Sequence, residues 1–132
     1  MAMKRMLWAL LLGTVLLSGC ASTFDFRREE VFEDTAKAYG RSIRGSDFES
    51  ALAFLAPDPS GAKIALPKDV RVTEYEVKQV AYEAGKRKVI QIVAISYHHL
   101  NDLRVRKLQD KQLWEFDSET ATWLLKSGLP NF

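Results

Sequence analysis

Few side chains in this sequence have the type and spacing that catalysis or metal binding requires. His98 and His99 are its only histidines, and neighbours on a strand point to opposite faces, so the pair is not expected to bind one metal ion. His99 and Asp102 are the candidates for a general base, a role that histidines and carboxylates take when burial shifts their pKa. Asp102 also suits a turn for backbone reasons alone. The sequence therefore predicts no metal, no cofactor and no catalytic centre.

The only cysteine, Cys20, ends a segment with the features of an export signal. Lys4-Arg5 supplies positive charge, and Met6 to Leu17 follow as an uncharged, mostly apolar run. That run is shorter than the ~20 apolar residues that span a bilayer, and it fits the apolar region of a signal peptide. Ser18-Gly19 then places two small side chains before the cysteine, as a signal peptidase needs next to the bond that it cuts.

Leu17-Ser18-Gly19-Cys20 resembles the lipobox of bacterial lipoproteins. The resemblance implies cleavage between Gly19 and Cys20, a diacylglycerol on the Cys20 thiol, and a further acyl chain, such as palmitate, on the new amino terminus. Two or more chains hold a protein stably at a membrane, whereas one chain binds it marginally. Ala21, where aspartate often marks the inner membrane, implies the periplasmic face of the outer membrane. The alternatives are a secretory signal with a chance cysteine, or a buried apolar helix.

Charge composition argues against nucleic acid as a partner. The chain has 19 basic and 17 acidic side chains, and Lys4-Arg5 lies in the segment expected to be removed, so 17 of each sign remain. Nucleic-acid-binding domains typically have a basic excess, and the sequence contains no motif of such a domain. With Cys20 lipidated, no thiol remains for a disulfide, so packing alone must hold the fold.

Apolar residues recur at helical spacing from about residue 27, whereas residues 20–26 are expected to form a short tether. The stripe that predicts the long helix consists of Phe32, Thr35 or Ala36, Tyr39 and Ile43. Gly45 is expected to end this helix in the left-handed conformation. Ser46-Asp47-Phe48-Glu49 has the spacing of a capping box, with Ser46 as the cap, and begins a second, shorter helix that stops at Pro57.

From Val70 onward the apolar period changes to two, which is typical of strands. A change of phase predicts a bulge near Thr73 or Glu74. The segment from Val89 to Leu100 is apolar on both faces, so we expect a central strand that is covered on both sides along at least part of its length. Strands at about 103–116 and 122–125 follow after tight turns. Residues 27–132 are thus predicted to be one α+β domain, with a long and a short helix packed against a curved antiparallel sheet of about four strands.

Three stretches carry a resemblance to a known superfamily: residues 44–55 between the helices, 112–116 on the third strand, and 123–130 at the end. They resemble the nuclear transport factor 2-like superfamily, in which a long helix packs into a cone formed by a bent sheet. Small bacterial lipoproteins of that type with no assigned function are the most similar. The superfamily contains isomerases, dehydratases, transport factors and assembly domains, so the fold does not choose among functions.

Three classes of function remain open. The first is a non-catalytic scaffold of the cell envelope, held at the membrane by its lipid anchor and bound to an envelope protein. The second is a carrier that holds a small apolar molecule in the cone, where Tyr75, Tyr97 and His99 are the expected lining residues. The third is an isomerase- or dehydratase-type enzyme, which needs a buried titratable group facing a pocket. A filled cone favours the scaffold, and an empty apolar cone favours the carrier.

Overall fold

The computed structural model describes residues 20–132, and the predicted signal peptide, with Gly19 at its cleavage site, lies outside this range. Helix α1 spans Cys20–Arg44, and helix α2 spans Phe48–Ala51 and continues as a 3-10 turn over Leu52–Phe54. A long loop then leads to the strands, which are β1 Val70–Tyr82, β2 Lys88–His99, β3 Asp102–Asp117 and β4 Thr122–Leu125.

Helix α1 begins at Cys20, so residues 20–26, the expected tether, form its first turns. No proline or glycine interrupts this stretch, and an ion pair between Asp25 and Arg28 links successive turns of the helix. Phe24 and Phe26 are both exposed, which means that these turns add little to the core. The apolar stripe of the sequence therefore marks where the helix meets the sheet rather than where the helix begins.

The four strands form one antiparallel sheet in the order β1-β2-β3-β4, with the helices packed on it, which confirms the predicted α+β class. The pairing of β1 with β2 shifts between Val72 and Glu74, where the sequence predicted a bulge. A second shift, between Val77 and Gln79, was not predicted. The first shift moves the inward positions of β1 from even-numbered to odd-numbered residues, and the second moves them back. Val77 and Val80 therefore both lie on the face that meets α1.

The core lies between α1 and the inner face of the sheet. Phe32 packs edge-to-face against Trp123 with ring centroids 5.2 Å apart, and Tyr39 packs likewise against Trp114 at 5.4 Å. The indole N–H of Trp123 donates a hydrogen bond to the carbonyl of Arg28 at 3.0 Å. These contacts hold α1 against β3 and β4, and the helix also contacts β1.

Strand β2 is central, as predicted, but only one of its faces is fully covered. Alternate residues from Val89 to Tyr97 are buried against the helices. Ile90, Ile92 and Ala94 on the other face are only half-buried, whereas Ser96 on that face is buried, so the outer face is covered along part of its length. Ile90 lies between its strand partners Ala81 and Leu113, and such flanking side chains shield part of this outer face.

The end of α1 also differs from the prediction. The N–H of Ser46 donates to the carbonyl of Ile43 at 2.9 Å, and the N–H of Asp47 donates to that of Ser42 at 2.8 Å. This pair of bonds is a Schellman motif, whose left-handed residue is Ser46, with φ 58°, and not Gly45.

Helix α2 is capped by Asp47 rather than by Ser46. The Asp47 carboxylate accepts the N–H of Ser50 at 3.1 Å. The Ser46 hydroxyl instead accepts the N–H of Val72 at 2.9 Å, which satisfies a backbone group of β1. Ser46 therefore occupies a left-handed position that usually favours glycine. Its hydroxyl links the end of α1 to the sheet through this hydrogen bond.

Ser46→Ala is expected to lower the free energy of unfolding by about 1–3 kcal/mol, because the buried Val72 N–H loses its partner. Ser46→Gly loses the same bond but relieves the left-handed strain, so it is expected to be more stable than the alanine variant by about 1 kcal/mol. Urea denaturation of the two purified variants measures this difference. Equal stability of the two variants would contradict the left-handed assignment of Ser46.

Candidate functional site

An open groove of about 670 Å³ separates helix α1 from strand β1. At one end the rings of Phe32 and Tyr82 meet, with centroids 5.8 Å apart. At the other end α1 approaches β1 so closely that a Cβ on Gly40 would lie 2.9 Å from Cε1 of Tyr75. Helix and strand therefore run antiparallel. The groove is lined by Phe32, Glu33, Ala36, Lys37, Gly40, Arg41, Arg44, Tyr75, Val77, Val80, Tyr82 and Gln91.

The floor of the groove is apolar, and it is exposed although it faces the helix. Val77 and Val80 leave 46% and 41% of their surface open, and Tyr82 is also exposed. Aromatic contacts bring α1 onto Trp114 and Trp123 of β3 and β4, and α1 also meets β1 at Tyr75 and Tyr82. Val77 and Val80 lie between these two contacts with β1 and stay open. Clustered apolar side chains that remain open in a cleft are typical of binding sites.

The rim of the groove on α1 is electrically polarised. Glu33 lies near the Tyr82 end, and Lys37 pairs with it at 3.5 Å. Arg41 and Arg44 lie in the last turn of the helix, toward the Tyr75 end, where the partial charge of the helix terminus favours cations. Among residues 24–132, no carboxylate lies within 4.0 Å of either arginine.

A buried network of hydrogen bonds lies under the floor, with Gln112 at its centre. The Gln112 side-chain oxygen accepts from the amide of Gln91 and from the indole of Trp114, both at 3.1 Å. Its amide nitrogen donates to the hydroxyl of Tyr75 at 3.0 Å and to the carboxylate of Asp110 at 2.8 Å. Since Tyr75 and Gln91 also line the groove, the network presents polar groups to whatever the groove holds.

Burial shifts the titration of this network. It raises the pKa of the Asp110 carboxyl, against the opposing effect of the Gln112 hydrogen bond. Burial likewise raises the pKa of Tyr75 to about 12 and that of Tyr39 well above its usual range. Both phenols are therefore neutral at pH 7. The Tyr39 hydroxyl is buried and has no hydrogen-bond partner within residues 24–132.

Asp110→Asn is expected to become more stable relative to the parent protein as the pH rises. In the unfolded chain an aspartate titrates near ~3.9. The folded state holds the Asp110 proton to a higher pH, so the parent loses unfolding free energy as the pH rises from ~3.9 through the folded pKa. Asparagine keeps an oxygen for the Gln112 amide but does not titrate. Urea denaturation between pH 3 and pH 7 measures the difference.

Asp102→Asn is the control for this experiment, with the opposite sign. Hydrogen bonds from Arg104, aided by Arg106, lower the pKa of Asp102 to about 2. The parent therefore gains stability relative to Asp102→Asn as the pH rises from about 2 toward ~3.9, and it keeps that gain at neutral pH. If the free energies of unfolding of the parent and of Asp110→Asn changed in parallel with pH, the raised pKa of Asp110 would be contradicted.

The structure places Tyr75 apart from the two other predicted lining residues. Tyr75 lies in the groove, whereas Tyr97 is buried elsewhere in the core, with its ring centroid 5.1 Å from that of Phe132. His99 lies at the edge of a separate, smaller cavity and has its Nδ1 3.1 Å from a carboxylate oxygen of Asp69. One pocket therefore does not contain all three residues.

The remaining candidates of the sequence lie outside the groove. Asp102 pairs with Arg104 at 3.0 Å and with Arg106 at 3.3 Å beside the turn between β2 and β3. His98 has its Nδ1 3.0 Å from the carbonyl of His99. Cys20 is the first residue of α1.

Sequence reasoning missed Gln91, Asp110 and Gln112, although the pattern contained a signal for them. Gln91 interrupts the inward series of Val89 and Val93, and Gln112 faces it across the pairing of β2 with β3. A polar residue at an inward position of a strand needs a buried partner. A pair of glutamines in register therefore predicts a buried polar site.

Comparisons with protein-family models, with curated proteins and with solved structures give no match for this chain. Among residues 20–132, no helix has both the length and the apolar character that a membrane crossing requires. The same part of the chain contains no group of three or more histidine, cysteine, aspartate or glutamate residues placed to hold a metal ion. The groove must therefore be interpreted from its own chemistry.

Proposed function

We propose that this protein is a lipid-anchored envelope lipoprotein that carries a small apolar or amphipathic molecule in the groove between α1 and β1. The supporting observation is that Val77 and Val80 face the helix and yet stay open within a space of about 670 Å³. Small-molecule sites are concave and mostly apolar, with volumes of roughly 300–1,000 Å³ and a few polar groups that fix orientation. Tyr75 and Gln91 are such groups here.

The anchor is proposed from the sequence, and the course of α1 relates it to the groove. Removal of residues 1–19 would leave lipidated Cys20 as the first residue of the helix that forms one wall of the groove. An ion pair joins Glu29 to Lys86, which places the β1–β2 turn at the same end of the domain as Cys20. The Tyr82 end of the groove then faces the membrane, on the periplasmic side of the outer membrane.

The order of elements supports assigning the fold to the nuclear transport factor 2-like type. Two helices come first, and an antiparallel meander follows and packs against them. In that superfamily the space between helix and sheet is where ligands are held. The groove between α1 and β1 occupies the corresponding space in this proposal.

Val80→Asp is expected to weaken ligand binding, because it places a charge in the apolar floor. Ala81→Asp is the matched control, since it makes an acidic substitution at an exposed position of the same strand whose side chain points to the opposite face. The probe is a twelve-carbon alcohol with a photoreactive diazirine at its end. Labelling is followed by mass spectrometry on protein extracted from its own membranes and held in amphipol.

The expected result is labelling of α1 and β1 in the parent and in Ala81→Asp. In Val80→Asp, binding of the probe should weaken by about tenfold or more, which corresponds to about 1.4 kcal/mol or more. Equal labelling of the parent and Val80→Asp would show that the probe does not use the groove, and the carrier proposal would then fail.

One observation favours the scaffold as a second candidate. The β2–β3 turn and the first residues of β3 expose three apolar side chains: Leu100, and Leu103 and Val105, which have 74% and 62% of their surface open. Exposed apolar clusters mark interaction sites. A scaffold should lose its envelope partner in Leu103→Ser and retain it in Val80→Asp, whereas a pure carrier should show no partner in either variant.

A further inference from the structure

We infer that the ligand of this groove has one anionic head group, a carboxylate or a phosphate, on an apolar chain, with Arg41 and Arg44 holding the head at the Tyr75 end. This inference rests on the proposed carrier function and names the chemical class of its ligand.

The charges along the groove define which end takes the head group. Glu33 lies at the Tyr82 end, where burial first, and then the charges of Glu29 and Glu33, raise the pKa of Tyr82. Arg41 and Arg44 lie toward the other end, with no carboxylate within 4.0 Å of either among residues 24–132. Glu33 is paired with Lys37 and Glu29 with Lys86, whereas the two arginines have no such partner among these residues, so an anion is attracted at the Tyr75 end.

Arginines at a helix end are common, so their presence alone would not make a binding site. Here both of them line the same groove as Tyr75, whose hydroxyl already accepts a hydrogen bond from Gln112 at 3.0 Å. The Tyr75 hydroxyl also lies within hydrogen-bond reach of Gln91, and a phenol can donate as well as accept. Two guanidinium groups and one phenol thus supply donors, and guanidinium groups match the geometry of carboxylates and phosphates.

The opposite end suits an apolar chain. The open surfaces of Val77, Val80 and Tyr82 continue along β1 toward Phe32. The part of α1 from Phe32 to Arg44 extends over about 18 Å at 1.5 Å per residue, so the site is elongated. A head group at Arg44 therefore directs its chain along the valines toward Tyr82, and hence toward the end of the domain that bears Cys20.

Three probes with the same twelve-carbon chain test this inference: dodecanoate, dodecyl phosphate and dodecan-1-ol. Each is titrated by native mass spectrometry against the protein extracted from its membranes and held in amphipol. The test variant is Arg41→Gln with Arg44→Gln. The control is Arg71→Gln with Lys63→Gln, which removes the same charge from two exposed positions outside the groove.

At least one anion is expected to bind the parent about tenfold more tightly than the alcohol, and the tighter anion identifies the head group. The double arginine variant should lose this preference while it binds the alcohol within about twofold of the parent, and the control should keep the preference. Equal binding of all three probes to the parent, or an equal loss in the control, would overturn the inference and leave the carrier function standing. If none of the probes bound the parent, both the inference and the proposed carrier function would be contradicted.

Discussion

Replacing Cys20 by alanine is expected to leave an uncleaved precursor without lipid. Cys20 is the only thiol of the chain, so no other residue can accept the proposed diacylglycerol. The resemblance to a lipobox implies that the cut before Cys20 depends on that modification. The mature protein should be held at the membrane by two or more acyl chains, which bind far more stably than one. Intact mass spectrometry and membrane fractionation of the two proteins measure the difference.

Ser18→Ala is the matched control for this substitution, because it keeps a small side chain before the cut and leaves the cysteine in place. It should mature and fractionate like the parent. Normal cleavage of Cys20→Ala, together with normal membrane fractionation, would contradict the proposed lipid anchor. The groove and its chemistry would be unaffected, because they depend only on residues of the folded domain.

Gln112→Leu is expected to lower the free energy of unfolding by about 3 kcal/mol or more. Leucine fills a similar volume, but it leaves the Gln91 amide and the Trp114 indole without an acceptor and the Asp110 carboxylate without its donor. Each buried polar group that loses its partner costs about 1–3 kcal/mol, and a charged group costs more. Urea denaturation at pH 7 measures the loss.

Gln109→Leu is the matched control, because it makes the same substitution on β3 at a position outside the hydrogen-bond network. Gln109 is exposed and pairs with Ala94 on the outer face, so the change in its stability should stay within about 0.5 kcal/mol. A loss below about 1 kcal/mol in Gln112→Leu would show that water satisfies the stranded groups, and that the network is open to the groove rather than sealed beneath it.

Most of the architecture could be predicted because it follows from the periodicity of apolar residues in the sequence. The stripe of Phe32, Tyr39 and Ile43 identified the buried face of α1, and the apolar run after Val89 identified the central strand. The phase change after Val72 identified the first bulge. These signals are local, and each follows from the repeat of a helix or a strand.

The sequence could not predict the features that depend on long-range contacts. Ser46 takes the left-handed position because its hydroxyl reaches Val72, which lies 26 residues further along the chain. Gly45 is the usual choice on local grounds, so the prediction chose it. The second bulge in β1 likewise becomes visible only in its pairing with β2.

The groove itself was beyond prediction for a related reason. Val77 and Val80 have the pattern of buried residues, and they stay open because they lie between the two contacts of α1 with β1, at Tyr75 and Tyr82. Periodicity reports which face of a strand points inward, but it does not report whether another element fills the space. The candidate Tyr75 was chosen as a strand tyrosine, and its contact with Gly40 is what places it at the end of the groove.

Native mass spectrometry of the protein, extracted gently from its own membranes, tests the central claim most directly. We predict a chain that begins at Cys20 with its acyl groups and carries one additional, non-covalently bound small molecule. The Val80→Asp protein should lack that molecule and keep its acyl groups. A parent protein that carries no small molecule, or that carries a protein partner at fixed stoichiometry equally in both forms, would contradict the carrier function.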